Sequence, residues 1–122
     1  MKLSQSTLMD VSRVIIFTHD VIRLCEFYRS SFGLENVGEP SPEWAELKSG
    51  KSNIAFHKYG EAEEGRGGWI KIVFGSKVVA AERERLIEHG IEMSEVVEFG
   101  DIHLCDGYDP DGNPFQISSR GL

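Results

Sequence analysis

The amino-acid sequence predicts an α+β fold that consists of two βαβββ modules around an open cleft. Three observations support this fold class. A strand-like apolar run followed by a helix-like segment occurs twice, a segment rich in Gly and Glu separates the two occurrences, and the glycines that end the two predicted helices, Gly33 and Gly90, lie 57 residues apart. With 122 residues, of which 40% are hydrophobic, the chain is long enough to form one domain with its own core.

The first predicted module covers residues 11–59. Residues 14–17 form a short apolar run that is typical of a buried strand. Asp20 is in position to cap a helix in which apolar side chains recur at helical spacing, and Gly33 is in position to end that helix. The two remaining predicted strands of this module follow a loop with two prolines and cover residues 44–48 and 53–59.

The second predicted module covers residues 69–120 and follows a linker at residues 60–68, which hold four glycines and three glutamates. Ser76 is a candidate N-cap for a helix over residues 77–89. The sequence DPDG at residues 109–112 predicts a tight turn. The predicted strands of this module are residues 69–74, 91–99, 102–105 and 114–119.

The composition excludes several classes of partner. The chain has 13 basic and 20 acidic residues, a formal net charge of −7, and no basic cluster. Nucleic-acid binding depends on the neutralisation of phosphates, so we expect no nucleic-acid partner, and the same charge disfavours an anionic membrane surface. No apolar run approaches the roughly 20 residues of a membrane span.

Two features predict a cytoplasmic protein. The first ten residues lack the apolar core of a signal peptide. The only cysteines, Cys25 and Cys105, form neither a disulfide framework nor a CxxC metal motif. We expect both to be buried as small hydrophobic residues in a reducing compartment.

The alternation of side chains along the strands predicts a ligand site in the cleft. If Val14, Ile16 and Thr18 face the helix of their module, then Arg13 and Phe17 face the cleft. The same rule, applied to the other strands, predicts an aromatic lining with a few polar groups, which is typical of a small-molecule site. The predicted ligand-binding residues are Arg13, Phe17, Trp44, Glu46, His57, Trp69, Lys71, Gln116 and Ser118.

Structural roles remain open for several of these residues. Arg13 is also placed to pair with Glu46 at the rim of the cleft. Trp69 is also suited to the core or to a dimer contact, and the Lys71 side chain is long enough to reach water. A single histidine on a strand, such as His57, is more often a hydrogen-bonded structural residue than a catalytic base.

Two motifs at opposite ends of the chain indicate a family. The first consists of SRVIIFTHD at residues 12–20, FY at 27–28 and FGL at 32–34, and the second is DPDGNPFQI at residues 109–117. Together they resemble the vicinal oxygen chelate superfamily, which includes glyoxalase I, bleomycin-resistance proteins, extradiol dioxygenases and fosfomycin-resistance enzymes. The resemblance covers residues 11–120 and implies that residues 1–122 form a single glyoxalase-like domain, which commonly forms a homodimer.

The resemblance also implies where a metal would bind. In this superfamily a His on the first strand and a carboxylate on the last strand of each module commonly hold a divalent metal, which acts as a Lewis acid. The corresponding positions in this chain are Arg13, Trp69, His57 and Gln116. Because arginine and tryptophan side chains have no acceptor atom, we expect no metal cofactor. A rebuilt divalent-metal site would need His103 or Glu46 from neighbouring strands.

These observations lead to one preferred function and two alternatives. The preferred function is a metal-independent small-molecule-binding protein of the glyoxalase/bleomycin-resistance type, in which Arg13 favours an anionic ligand. The first alternative is a glyoxalase-like lyase or dioxygenase with a rearranged metal site. The second is a regulatory domain that binds a partner protein. No residue is singled out as catalytic, and a homodimer is expected because exposed strands and aromatic surface are generally covered.

Overall fold

The computed structural model describes residues 11, 13–60 and 70–122. The chain divides into two compact units, residues 1–61 and 62–122. Within the described residues each unit has the element order βαβββ, as predicted. The elements are β1 Arg13–Thr18, α1 Val21–Phe32, β2 Glu35–Asn36, β3 Trp44–Lys48, β4 Asn53–Lys58, β5 Ile72–Gly75, α2 Val79–Glu88, β6 Val97–Phe99, β7 Ile102–Tyr108 and β8 Pro114–Ser118.

The first unit contains a four-stranded sheet in the order β1-β4-β3-β2, in which β1 is parallel to β4 and the other neighbours are antiparallel. One face of this sheet packs against α1. Tyr28 of the helix lies with its ring 5.6 Å from the ring of Phe56, and both residues are fully buried. The helix begins and ends as predicted, because Asp20 Oδ1 accepts a hydrogen bond from the Arg23 amide and Gly33 adopts a left-handed conformation with φ 65°.

The second unit repeats this topology with the sheet order β5-β8-β7-β6. Phe115 and Ile117 of β8 are buried on the helix-facing side of the sheet, as predicted. The helix α2 buries only Val79 and Leu86, which agrees with its weak apolar pattern in the sequence. Gly107 of β7 leaves room for its neighbours, since a Cβ atom there would lie 2.7 Å from both Met93 Sδ and Phe115 Cζ.

The start of α2 differs from the prediction. Its N-cap is Val78, which makes no side-chain capping bond. Ser76 lies two residues earlier, and its hydroxyl accepts a hydrogen bond from the Val78 amide at 3.0 Å. Thr18 makes the equivalent bond to the Asp20 amide at 3.1 Å in the first unit. Ser76 therefore follows β5 directly and bonds the Val78 amide instead of capping the helix, so the prediction of its capping role was wrong.

The strand bounds also differ at several places. The strand β2 is only two residues long and was not located from the sequence. The predicted strand at residues 91–99 is confined to β6, because the chain around Ser94 is held by other bonds: its amide donates to the Asp106 carbonyl at 2.8 Å and its carbonyl accepts from Arg83 Nε at 2.7 Å. The strand β7 continues three residues beyond the predicted end at Cys105.

Some predictions concern residues that the structure does not describe. Within the predicted linker only Gly60 is described, and Trp69 lies outside the described residues. The strand predicted to begin at residue 69 is observed from Ile72 to Gly75. None of the described helices is long and apolar enough to cross a bilayer.

Both cysteines are free and buried, as predicted. Burial raises the pKa of the Cys25 thiol and of the Cys105 thiol above their ordinary value. A buried thiol with a raised pKa is a poor nucleophile, so neither cysteine is a candidate for covalent chemistry.

Candidate functional site

The face of the first sheet that points away from α1 carries the candidate site, and we call it the first open face. Along β1 the burial alternates as predicted: Thr18 is fully buried on the helix side, whereas Ile15 and Phe17 are 40% and 48% exposed on the other side. Arg13 lies on the same side as Ile15 and Phe17. The predicted assignment of β1 side chains to the two faces is therefore confirmed.

The strand register arranges the first open face in three rows. A polar row pairs Arg13 of β1 with Asn53 of β4. A middle row contains Ile15, Ala55 and Glu46, and an aromatic row contains Phe17, His57 and Trp44. Of the predicted ligand-binding residues in this unit, the structure thus brings Arg13 to Glu46 at one end and Phe17 to His57 and Trp44 at the other.

Arg13 and Glu46 form an ion pair across β4. Arg13 Nε donates to Glu46 Oε2 at 3.2 Å, and Asn53 Nδ2 donates to the same oxygen at 2.9 Å. The hydrogen bonds from Asn53 and then from Arg13 hold the pKa of the Glu46 carboxyl below its ordinary value, although partial burial opposes them. The pairing of Arg13 with Glu46 that the sequence left open is therefore present.

The ion pair engages only one edge of the guanidinium. The Arg13 side chain is 46% exposed, whereas the Glu46 side chain is only 10% exposed. Among the described residues, none accepts a hydrogen bond from Nη1 or Nη2 of Arg13. Glu46 and Asn53 thus orient the guanidinium, and within the described part of the chain its outer N–H groups have no acceptor.

The aromatic row is a continuous ring surface. The His57 ring centre lies 5.7 Å from that of Phe17 and 5.9 Å from that of Trp44, both in edge-on contact. Tyr59, just beyond β4, extends the row with its ring centre 5.9 Å from that of Phe17. His57 Nδ1 lies 2.8 Å from the Lys58 carbonyl oxygen. In the neutral ring Nδ1 therefore donates, and Nε2 is left as an acceptor.

The second sheet carries a smaller polar cluster on its corresponding face, the second open face. Asp106 Oδ1 accepts hydrogen bonds from Lys71 Nζ at 3.0 Å and from Gln116 Nε2 at 3.1 Å. Lys71 and Gln116 are therefore brought together, as the sequence predicts, by a carboxylate that the sequence analysis missed. The sequence does contain a signal for this carboxylate: extending the predicted strand by one residue beyond Cys105 places Asp106 on the face of Gln116.

One end of the second open face is covered. Ser118 lies on the predicted face but is only 2% exposed, and its hydroxyl accepts from the Arg120 amide at 3.0 Å. Next to it, the Leu122 side chain approaches to 3.3 Å of the point where a Gly75 Cβ would lie. Ser118 thus holds the C-terminal turn and takes no part in the site proposed below.

The structure changes which residue of the second unit corresponds to Arg13. Thr18 and Ser76 make the same turn at the ends of β1 and β5 and lie 58 residues apart. With this offset Lys71 corresponds to Arg13, and Trp69 does not. A cation therefore occupies the corresponding position in both units.

The donor set does not fit a divalent metal. Glu46 already pairs with Arg13, whose fixed positive charge opposes a cation beside it. His103 has the strand parity of Cys105, which is opposite to that of Asp106 and Gln116, so it does not share their face of the sheet. Across the part of the chain that the structure describes, no three His, Cys, Asp or Glu side chains group in a way that could hold a metal ion. The absence of a metal cofactor stays a prediction.

Asn53 and Tyr59 are the other residues of the first open face that the sequence analysis missed. Both have the strand parity of His57, so the rule that assigned His57 to this face would also have assigned them. The second predicted group, Lys71 and Gln116, lies in the other compact unit. The cleft proposed to unite the two groups stays a prediction.

Comparison with solved structures identifies the fold. Neither a protein-family model nor a curated protein sequence matches the chain. A glyoxalase/bleomycin resistance protein/dioxygenase family enzyme from Burkholderia phytofirmans PsJN matches over 90% of this chain and 98% of its own, with a TM-score of 0.75 and 24% identity. A lactoylglutathione lyase from Agrobacterium tumefaciens matches over 95% and 99%, with a TM-score of 0.74 and 17% identity.

A third neighbour is an antibiotic-binding protein from Streptomyces sp. CB03234, which matches over 91% of this chain and 95% of its own, with a TM-score of 0.72 and 16% identity. The three neighbours therefore include both enzymes and a binding protein, and one fold serves several functions. Their agreement with the motifs at the two ends of the sequence establishes the architecture: the chain has the glyoxalase/bleomycin-resistance/dioxygenase fold.

Proposed function

We propose that this protein binds a small anionic molecule on its first open face and does so without a divalent metal. The observation that carries this proposal is the orientation of Arg13, which is fixed through Nε while its outer N–H groups stay free of bonds from the described residues. The proposal places this activity in the cytoplasm, which the two free, buried cysteines favour.

The chemistry of Arg13 suits an anion. A guanidinium has five N–H donors in one plane and stays charged at every physiological pH. One of these donors is used by Glu46, so two parallel N–H groups remain for a carboxylate or phosphate. Because Asn53 shares the Glu46 carboxylate, Glu46 has a second donor and Arg13 is not its sole partner.

The surface beside Arg13 suits a small organic molecule. Ligand sites in proteins combine apolar and aromatic walls with a few polar groups that fix orientation. The first open face has this composition, with the aromatic row of Phe17, His57 and Trp44 on the same face as Arg13. Phe17 is 48% exposed.

A thermal-shift screen with bound-metal analysis tests the proposal. The purified protein and its Arg13→Met variant are screened against small carboxylates, phosphates, neutral compounds and cations, before and after dialysis against a chelator. We expect at least one carboxylate or phosphate to stabilise the wild type, the chelator to leave this shift unchanged, and Arg13→Met to remove it. Arg29→Met is the matched control, because Arg29 is 40% exposed and pairs with Glu26 on the surface of α1.

Three outcomes would contradict the proposal. The first is stabilisation by neutral or cationic compounds alone. The second is an anion shift that survives in Arg13→Met. The third is stoichiometric metal whose removal abolishes binding, which would support the lyase or dioxygenase alternative instead.

We also propose that the protein forms a homodimer. Val97 and Phe99 lie on the edge strand β6 and are 43% and 60% exposed, and an exposed apolar edge is generally covered. Light scattering at micromolar and higher concentrations is expected to give the mass of two chains. A single-chain mass throughout would exclude the dimer and would leave the ligand proposal standing.

A further inference from the structure

We infer that the ligand is an elongated amphipathic acid, with a carboxylate at one end and an aromatic or bulky apolar group at the other, separated by several atoms. This inference rests on the proposed function and specifies its ligand class. It follows from the order of the three rows on the first open face, which run from charged to aromatic along the strands.

The two ends of this face are too far apart for a compact molecule to contact both. Arg13 and Phe17 are four residues apart on β1, and neighbours on one face of a strand are separated by about 6.6 Å. The Arg13 guanidinium extends across β4 toward Glu46 in the middle row. A carboxylate on its outer N–H groups therefore lies roughly 7–13 Å from a ring that rests on the aromatic row.

The middle row is suited to a hydrocarbon chain. Its centre is Ala55, which is the smallest side chain of the face and is fully buried. Ile15, 40% exposed, lies on one side of Ala55, and Glu46 lies on the other with its carboxylate turned to Arg13 and Asn53. Because Ala55 is covered within the protein, a flexible apolar linker would lie against the exposed side chain of Ile15, where it leaves no polar group unpaired.

The aromatic row favours an apolar group at the end of the ligand that is far from Arg13. The Phe17 and Trp44 rings on either side of His57 carry no charge, so an apolar group loses little on contact with them. An acid that is short enough to sit on Arg13 alone leaves this ring surface in water. An acid that spans both ends contacts Arg13 and the aromatic row together. We therefore expect long acids to bind more tightly than short ones.

A series of phenylalkanoates with two variants tests the inference. Affinities of benzoate, phenylacetate, 4-phenylbutanoate and 6-phenylhexanoate are measured by calorimetry for the wild type, Arg13→Met and Phe17→Ala. We expect 6-phenylhexanoate to lose about tenfold or more in affinity in each variant, since both ends of the ligand are held. Benzoate, which reaches one end only, is expected to lose affinity in one variant at most.

The controls separate spanning from general hydrophobicity. Arg29→Met and Ile22→Ala remove a cation and an exposed apolar side chain from α1, on the opposite side of the first sheet, and both are expected to leave all affinities within twofold. Phe17→Leu serves if Phe17→Ala is unstable, because it removes the ring and keeps an apolar side chain.

The outcomes distinguish this inference from the proposed function. If 6-phenylhexanoate is sensitive to only one of the two variants, or benzoate is sensitive to both, the spanning arrangement is wrong and the proposed binding of an anion stands. If no acid of the series and no anion of the earlier screen binds the wild type, the proposed function fails as well.

Discussion

The two open faces carry the same ion pair in different surroundings. In each unit a cation near the start of the first strand pairs with a carboxylate on the third strand: Arg13 with Glu46, and Lys71 with Asp106. The strand register places the two carboxylates at equivalent positions, opposite Ala55 in one sheet and opposite Gln116 in the other. The ion pair is thus repeated, and the residues around it are not.

The surroundings decide which face is suited to a ligand. Where the first face has the small residue Ala55, the second has Gln116, whose amide bonds the carboxylate and fills the space. Where the first face has its aromatic row, the second has Gly75 and Ser118, and the C-terminal turn lies against them. One scaffold used twice therefore provides one face with an aromatic row and one face without it, whose centre is occupied by Gln116.

The helix-facing sides of the two sheets differ in a complementary way. In the first sheet Leu47 pairs with Ile54, and in the second Gly107 pairs with Phe115 at the equivalent position. The missing side chain of Gly107 is compensated by the larger ring of Phe115 and by Met93. In the first sheet two side chains of similar size fill this part of the core, whereas in the second sheet the large Phe115 side chain lies beside a glycine.

The largest expected effect comes from Gly107→Ala. Its Cβ would lie 2.7 Å from the Phe115 ring and from Met93 Sδ, and Phe115 is fully buried and cannot move freely. We expect the free energy of unfolding to fall by about 2–3 kcal/mol, measured by urea denaturation. Gly75→Ala is the matched control, since its new atom meets only the end of the Leu122 side chain, and we expect a loss of at most about 0.5 kcal/mol. Equal losses would show that the core of the second unit is not packed as described.

The next largest effect concerns Ala55→Gln, which gives the first face the residue of the second. The Gln side chain would occupy the middle row, and we expect the affinity for 6-phenylhexanoate to fall by about tenfold or more. Because Ala55 is fully buried, circular dichroism first establishes that the variant keeps the wild-type fold. Ala55→Ser adds one atom and should retain binding. Full affinity in Ala55→Gln would place the ligand elsewhere.

A smaller effect separates the two ion pairs. The Glu46 side chain is 10% exposed and the Asp106 side chain 35% exposed. We expect Glu46→Gln to lower the free energy of unfolding by about 1–2 kcal/mol, because a largely buried carboxylate loses two charged hydrogen bonds. Asp106→Asn, which breaks a more exposed pair, should cost at most about 0.5 kcal/mol. A larger cost for Asp106→Asn would reverse the ranking of the two faces.

The smallest effect is a pH dependence of the Glu46 contribution. Because the folded protein holds the pKa of Glu46 below its ordinary value of 4.5, this contribution is fully present above that pH and is lost as the pH falls through the lowered value. The stability difference between the wild type and Glu46→Gln should therefore be constant from pH 7 to about pH 5 and shrink in more acidic solution. A difference that grows on acidification would contradict the assigned direction.

The sequence was sufficient for the architecture because its signals are local. Asp20 and Gly33 bound the first helix through their own side chain and backbone preferences, and alternation along β1 assigned Arg13 and Phe17 to one face. The two-residue strand β2 has no such signal, because its residues are exposed and it exists through pairing with β3.

The parts of the site that escaped prediction depend on nonlocal packing. Asp106 and Gly107 have the composition of a turn, but β7 continues through them because it pairs with β8 as far as Tyr108, and Phe115 and Met93 lie where a Gly107 side chain would be. The bond of Asn53 to Glu46 depends on the register of β3 against β4, which the sequence alone does not specify. Likewise, the exclusion of Ser118 depends on the C-terminal turn that its hydroxyl holds.

The contrast between the two faces assigns ligand binding to the first open face and not to the second. The most direct measurement is a titration of nitrogen-15-labelled protein with 6-phenylhexanoate, followed by amide chemical shifts. We predict that the shifts concentrate at the amides of Arg13, Ala55 and His57, saturate together, and leave those of Asp106 and Gln116 within experimental error. Saturating shifts at Asp106 and Gln116 with none at Ala55 and His57 would contradict the claim.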